Sequence, residues 1–175
     1  MNDIFIDADI KIRPIRSTDA QPFFQLIDSN RTYLKKWLTW LDNMPSITAA
    51  ERYIESRIRL ANEKMGFCFL IFSKETIAGV IHLVDIDHTN RKAMIGYWVG
   101  ESFCGKGLAT KATEVLLSFA LKELNLHRIE IRCAVENKPS EAIAKKLSFH
   151  HEGVLRESEW LHDRFVDQNL YSKII

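Results

Sequence analysis

The stretch that most restricts how this chain can fold runs from Ala93 to Thr110. Ala93 to Val99 is an apolar run of strand length and strand composition. A short loop containing Gly100, Gly105 and Gly107 follows. Beyond it Leu108, Ala112, Val115, Leu116, Phe119 and Ala120 recur at helical spacing on one face, with Lys111, Glu114, Ser118 and Lys122 on the other. The order is therefore strand, glycine loop, helix N-terminus. Free N–H groups in the first helical turn and the positive end of the helix dipole make such a junction an anion site. Gly105 and Gly107 permit positive φ and remove side chains that would hold a phosphate off the backbone. An ordinary strand-to-helix turn would use the same glycines, so this stretch alone leaves both readings open.

Two phosphate chemistries compete for the loop. A nucleotide P-loop, G-x-x-x-x-G-K-[ST], fits at Gly100, Gly105 and Lys106 but meets Gly107 where a hydroxyl must hold magnesium. Asp85 is an acid in search of that role, yet it precedes the loop. The other chemistry is a pyrophosphate gripped by main-chain N–H groups without metal. Cys104-Gly105-Lys106-Gly107-Leu108-Ala109 resembles the [QR]-x-x-G-x-[GA] coenzyme A signature of the GNAT superfamily of N-acetyltransferases, with Cys104 in place of Gln or Arg.

The remaining chain supplies the rest of one domain. Its 175 residues, 46% hydrophobic and 27% charged, suit a soluble globular fold with a substantial core. The domain is read as residues 10–175, with 1–9 as an N-terminal extension. A net charge of +1 provides no global field for nucleic acid or anionic membrane. No apolar run reaches the ~20 residues of a membrane span, and Met1-Asn2-Asp3-Ile4 does not begin a signal peptide. Three scattered cysteines suggest a reducing, cytoplasmic setting. Cys68 and Cys133 read as core. Cys104 has no His or Asp at a spacing that would make it a nucleophile. The six histidines show no metal spacing, so no metal is expected.

In chain order, Ile10-Lys11-Ile12-Arg13-Pro14 alternates as a strand. Ser17, Thr18 and Asp19 precede a helix carrying Phe23, Phe24, Leu26 and Ile27. Trp37 and Trp40 read as packing between helices, with the wall of an acceptor groove as the functional alternative. Thr48-Ala49-Ala50-Glu51 has the form of a capping box, opening a helix with Ala50, Ile54, Ile58, Ala61 and Met65 inward and Gly66 at its end. Phe67 to Phe72, Ile77 to Val84 and Ala93 to Val99 form an antiparallel meander. Apolar residues on both faces of the last make it central. After the glycine-loop helix, Ile129, Ile131 and Cys133 mark a strand that the intervening helix makes parallel to its predecessor. Asn137 or Lys138 caps a helix with Pro139 just inside. Phe149 to Leu161 and Phe165 to Ile175 form a closing hairpin.

This order resembles the GNAT fold over nearly the whole chain: α+β in three layers, a mixed and mostly antiparallel central sheet with helices on both faces. Ile12-Arg13-Pro14 with Asp19-Ala20 looks like the family's first strand and helix. Asn137-x-x-Ser140 followed by Phe149 looks like its second coenzyme motif, with Ser148 where Gly is usual. Glu152-Gly153-Val154-Leu155-Arg156 and Asp167-Gln168-Asn169-Leu170-Tyr171 look like the tail of the RimJ/RimL branch, which acetylates the N-terminal amine of ribosomal proteins.

The resemblance implies acetyl-CoA as co-substrate, held without metal by Trp98, Val99, Cys104, Gly105, Lys106, Gly107, Leu108, Ala109, Thr110 and Asn137. It implies Ser140 as the donor to the departing thiolate and Glu159 as the base that takes the amine proton. By strand alternation Glu157 shares the face of Glu159. Main-chain N–H groups near Val99 and Gly100 are the expected oxyanion donors. Trp37, Trp40 and Trp160 are the groove candidates. The implied acceptor is a protein N-terminus; a small amine such as a polyamine or antibiotic is the alternative, and a homo-oligomer is compatible. A P-loop nucleotide hydrolase and a non-catalytic coenzyme A-binding module are the readings from other classes.

Overall fold

Strands that are apolar on both faces need cover on both. The computed structural model, which describes residues 2–175, supplies it. The strands are β1 (Ile4–Phe5), β2 (Ile10–Pro14), β3 (Phe67–Ser73), β4 (Thr76–Asp87), β5 (Lys92–Val99), β6 (Arg128–Ala134), β7 (His150–Leu161) and β8 (Arg164–Ile174). They form one sheet in the order β1-β2-β3-β4-β5-β6-β8-β7. All neighbours are antiparallel except β5 and β6. The α+β fold with a mixed, mostly antiparallel sheet is as expected.

On one face lie α1 (Ala20–Ser29), the single turn α2 (Arg31–Leu34) and α3 (Ile47–Asn62), whose Phe23, Ile27, Ala50 and Ile54 pack around Leu70 and Val80. On the other lie α4 (Leu108–Lys122) and α5 (Lys138–Lys146), whose Ala112, Leu116 and Ala144 join Ile81, Leu83, Ile95 and Ile129. Each fully buried Leu, Ile or Phe contributes about 1.5–3 kcal/mol, so these two layers hold the sheet rigid beneath the site. Arg13 on β2 grips Asp19 with two hydrogen bonds, at 3.0 and 2.7 Å, and Asp19 also accepts from the Arg16 N–H. The buried pair leaves few lone pairs unmet and sets where α1 begins. No helix among the described residues is long and apolar enough to cross a membrane.

Three local expectations need correction. The cap of α3 is Ser46, whose Oγ accepts from the Ala49 N–H at 3.3 Å, rather than Thr48. Ser46 is extended, with φ −153°, and so can turn its oxygen back onto the first turn. The same helix ends before Gly66. Lys64 takes the left-handed conformation, and the Met65 N–H reaches the Leu60 carbonyl at 2.9 Å, which leaves Met65 exposed. Finally, Ile4 and Phe5 add an edge strand to β2; a two-residue strand has no periodicity to read.

Ser148 occupies the left-handed position after α5, φ +57°, with the Phe149 N–H bonded to the Ala144 carbonyl. A Cβ in that region is crowded against its own carbonyl. Ser148→Gly is therefore expected to stabilise the fold by about 0.5–1 kcal/mol, after the entropy glycine adds to the unfolded chain. Urea denaturation checks it, and a midpoint that stays put or falls would contradict it.

Candidate active site

The central strands part company. β5 and β6 pair only at Lys92–Arg128, Ala93–Ile129 and Met94–Glu130. Beyond that point β5 stays with β4 as far as Val99, while β6 stays with β8 as far as Ala134. The divergence opens a cavity of about 660 Å³ between Ile95–Val99 and Ile131–Ala134, continuing to the first turns of α4 and α5. Strand alternation decides which backbone groups face it. The Gly100 N–H is spent on the Ala78 carbonyl of β4 at 2.8 Å, so it is not the oxyanion donor expected above. The N–H groups of Val99 and Tyr97, alternate to it, turn away from β4 toward the gap.

The loop after β5 is braced from α1 and α2. Asn30 Oδ1 accepts from the Glu101 N–H at 2.8 Å, and the Tyr33 hydroxyl lies 3.0 Å from Cys104 Sγ. Gly105 and Gly107 have φ of +73° and +75°. A Cβ at either would meet no protein atom within 4 Å, so it is the backbone conformation that demands glycine. Gly107 is the N-cap of α4 and offers no side-chain acceptor, so the orphan N–H groups of that first turn have no side-chain cap. Trp98, Val99, Cys104, Gly105, Gly107, Leu108, Ala109 and Thr110 all line the cavity. Lys106 does not; its Nζ sits 5.3 Å from the centroid of the Phe103 ring.

At the other end of the gap, Asn137 caps α5 by accepting from the Ser140 N–H at 3.3 Å. The Tyr97 hydroxyl donates to the Ser140 carbonyl at 3.1 Å and lies 3.2 Å from Ser140 Oγ. Given to the carbonyl, the single phenol proton leaves Ser140 to donate its own, to the phenol oxygen or into the cavity. Burial pushes the Tyr97 phenol well above its ordinary pKa, so it stays protonated. Nothing in the sequence beyond its place on a central strand marked Tyr97. Cys133 lines the same wall, its thiol pushed up by burial.

Glu159 enters from β7. Its carboxylate accepts from Gln168 Nε2 on β8 at 2.9 Å, and it lines the cavity with Ser140. Burial raises its pKa and the Gln168 bond opposes that rise. Glu157 does not share this position. The register slips between Leu155 and Glu159, Glu157 adopts φ +49°, and its N–H turns to the Asp167 carboxylate. The bulge places two extra residues on β7 against β8, and the left-handed backbone at Glu157 takes that residue out of the strand's alternation, which separates the two glutamates. Of the groove candidates, Trp37 and Trp40 line the cavity, with Trp40 stacked on Tyr53 at 5.9 Å. Trp160 does not: it is 53% exposed and packs edge-on against Phe165. Among the described residues no cluster of His, Cys, Asp or Glu has the form of a metal site.

Residues 9–150 match the acetyltransferase (GNAT) domain family. The ribosomal-protein-serine acetyltransferase of Escherichia coli strain K12 is 30% identical over 172 residues, which is 98% of this chain and 96% of that protein. The structure of the microcin C7 self-immunity acetyltransferase MccE, in complex with acetyl-CoA and AMP, superposes with a TM-score of 0.93 and 33% identity, over 97% of this chain and 94% of that one. RimL, a ribosomal L7/L12 alpha-N-protein acetyltransferase, in complex with coenzyme A, superposes with a TM-score of 0.96 and 28% identity, over 99% of this chain and 98% of that one.

Proposed function

The chain belongs to the GNAT family of acetyltransferases, with acetyl-CoA as the acetyl donor, and from that premise we propose that its acceptor is the N-terminal α-amine of a protein. The observation that carries this reading is the meeting of Glu159, from β7, with Ser140, from the first turn of α5, in one cavity. An α-amine titrates near ~7.7–8.0 and a lysine amine near ~10.4, so a lone carboxylate of raised pKa is a sufficient base for the former.

The protein fits the coenzyme on three counts: free main-chain donors on β5, a left-handed glycine pair, and a helix N-terminus without a side-chain cap. The first turn of α4 with Gly105 and Gly107 takes the diphosphate, and no metal is needed. The Val99 N–H takes the thioester carbonyl and steadies the charge that develops there. The Asn137 amide keeps N–H groups for the pantetheine arm while its oxygen caps α5. Glu159 takes the amine proton, directly or through one water. Ser140 Oγ donates to the sulfur as it leaves, with Tyr97 holding the serine in place.

A second reading, in which the acceptor is a small amine such as a polyamine or antibiotic, draws on the likeness to the microcin C7 self-immunity enzyme. A thiol-release assay with acetyl-CoA, run over N-terminal peptides and small primary amines, decides between them. Release with peptides is expected, with mass spectrometry placing one acetyl on the α-nitrogen. Release confined to small amines would overturn the protein-acceptor reading.

A further inference from the structure

Trp40 and His82 line the transfer cavity on one side and a second cavity, of about 590 Å³, on the other. The second cavity lies on the α1/α3 face of the sheet. α3 supplies Arg52, Tyr53 and Arg57 to its wall, Asn43 adds an amide, and no carboxylate lines it. Neither arginine is in an ion pair among the described residues. The Arg57 guanidinium lies 4.9 Å from the Tyr53 ring centroid, and its Nε donates to Ser56 Oγ at 3.3 Å. Its terminal N–H groups have no protein acceptor among the described residues. Tyr53 is itself stacked against Phe23 and against Trp40, which holds the ring beside the guanidinium in place.

His82 marks the boundary between the two cavities. Its Nδ1 is the one buried side-chain polar atom without a partner among the described residues. The imidazole lies across Gly96, where a Cβ would come within 2.1 Å of Nε2. Burial, aided by the charge of Arg57, pulls the imidazole down to about 4. It is neutral at physiological pH, and the positive charge of the cavity is that of the arginines. A buried polar atom with no partner costs free energy that a bound group can recover, so this wall also suits a ligand.

Resting on the protein N-terminus reading, we propose that the second cavity is an acceptor subsite for a carboxylate side chain carried within the first few residues after the acetylated amine, held by Arg57 and Arg52. The planar fork of a guanidinium matches a carboxylate with two parallel hydrogen bonds. Trp40 and His82 are common to both cavities, so an extended acceptor chain, at ~3.3–3.6 Å per residue, can run from one into the other.

Peptides identical except for Asp, Asn or Lys at positions two, three and four test this, with kcat/KM measured for the parent enzyme and for Arg57→Gln, Arg57→Lys and Arg52→Gln. An acidic residue at one of those positions is expected to raise kcat/KM at least tenfold over its amide counterpart. Arg57→Gln is expected to bring that ratio to within twofold, and Arg57→Lys to restore part of it. Equal rates with Asp, Asn and Lys at every position would overturn the proposal, as would a preference for Asp that persists in both glutamine variants. If peptides of every charge are inert while small amines react, the protein-acceptor reading falls, and this subsite falls with it.

Discussion

Glu159→Gln is expected to lower kcat by about 10²–10⁴, the range general-base catalysis commonly supplies. The amide has nearly the volume of the carboxylate and still offers an oxygen to Gln168 Nε2, now 2.9 Å from Glu159, so the change removes a proton acceptor and little else. In the native enzyme kcat is expected to fall as pH drops through the carboxyl pKa, which burial places above its ordinary 4.5. The variant loses that acid limb. The sign for stability is opposite. A carboxyl whose native pKa is raised is harder to ionise in the folded state, so its charge costs stability above that pKa, and the cost disappears as pH falls below the unfolded value. Glu159→Gln is thus expected to be at least as stable as the parent at neutral pH, and a urea midpoint at or above the parent's separates lost activity from unfolding. A variant with the parent rate and the same alkaline-rising profile would show that the base lies elsewhere.

Ser140→Ala is expected to lower kcat by about 10²–10³, the loss seen when one donor to a developing negative charge is removed. This substitution is clean for a local reason. Asn137 caps α5 through the backbone N–H of residue 140, which alanine keeps, so the helix start survives while the hydroxyl goes. Tyr97→Phe is expected to cost less, since Ser140 keeps its proton and loses only the phenol that orients it. Pre-steady-state thiol release separates the chemical step from product release. A loss below about threefold for Ser140→Ala would move the leaving-group role to another residue, since even a modest donor contributes more.

How much of this site was legible before folding depends on the range of the interactions involved. Asn137, Pro139 and Ser140 sit within one turn of each other, and the cap they form was readable as a cap. The two glycines of the loop have left-handed φ, as a tight strand-to-helix turn requires. Sequence order places Lys106 among its neighbours but cannot tell which side of a loop a side chain leaves from; Lys106 does not line the cavity, and its Nζ lies beside the Phe103 ring. Tyr97 carried no local signal, because its partner is forty-three residues away. Glu157 and Glu159 could not be separated by alternation, because the register slip between them comes from pairing with β8.

By itself the sequence determined the order of the long strands and helices, the two-sided apolar strands and the glycine junction at Gly105–Leu108, all written in residues within a turn or a strand of one another. Only the tertiary structure decided that β5 and β6 separate after Met94 and Glu130, that a bulge turns Glu159 and not Glu157 inward, and that an arginine-lined cavity adjoins the gap. Those outcomes depend on which ladder each strand keeps when two neighbours and two helical layers compete for it. That balance is struck among residues far apart in the chain, so no window of sequence contains it.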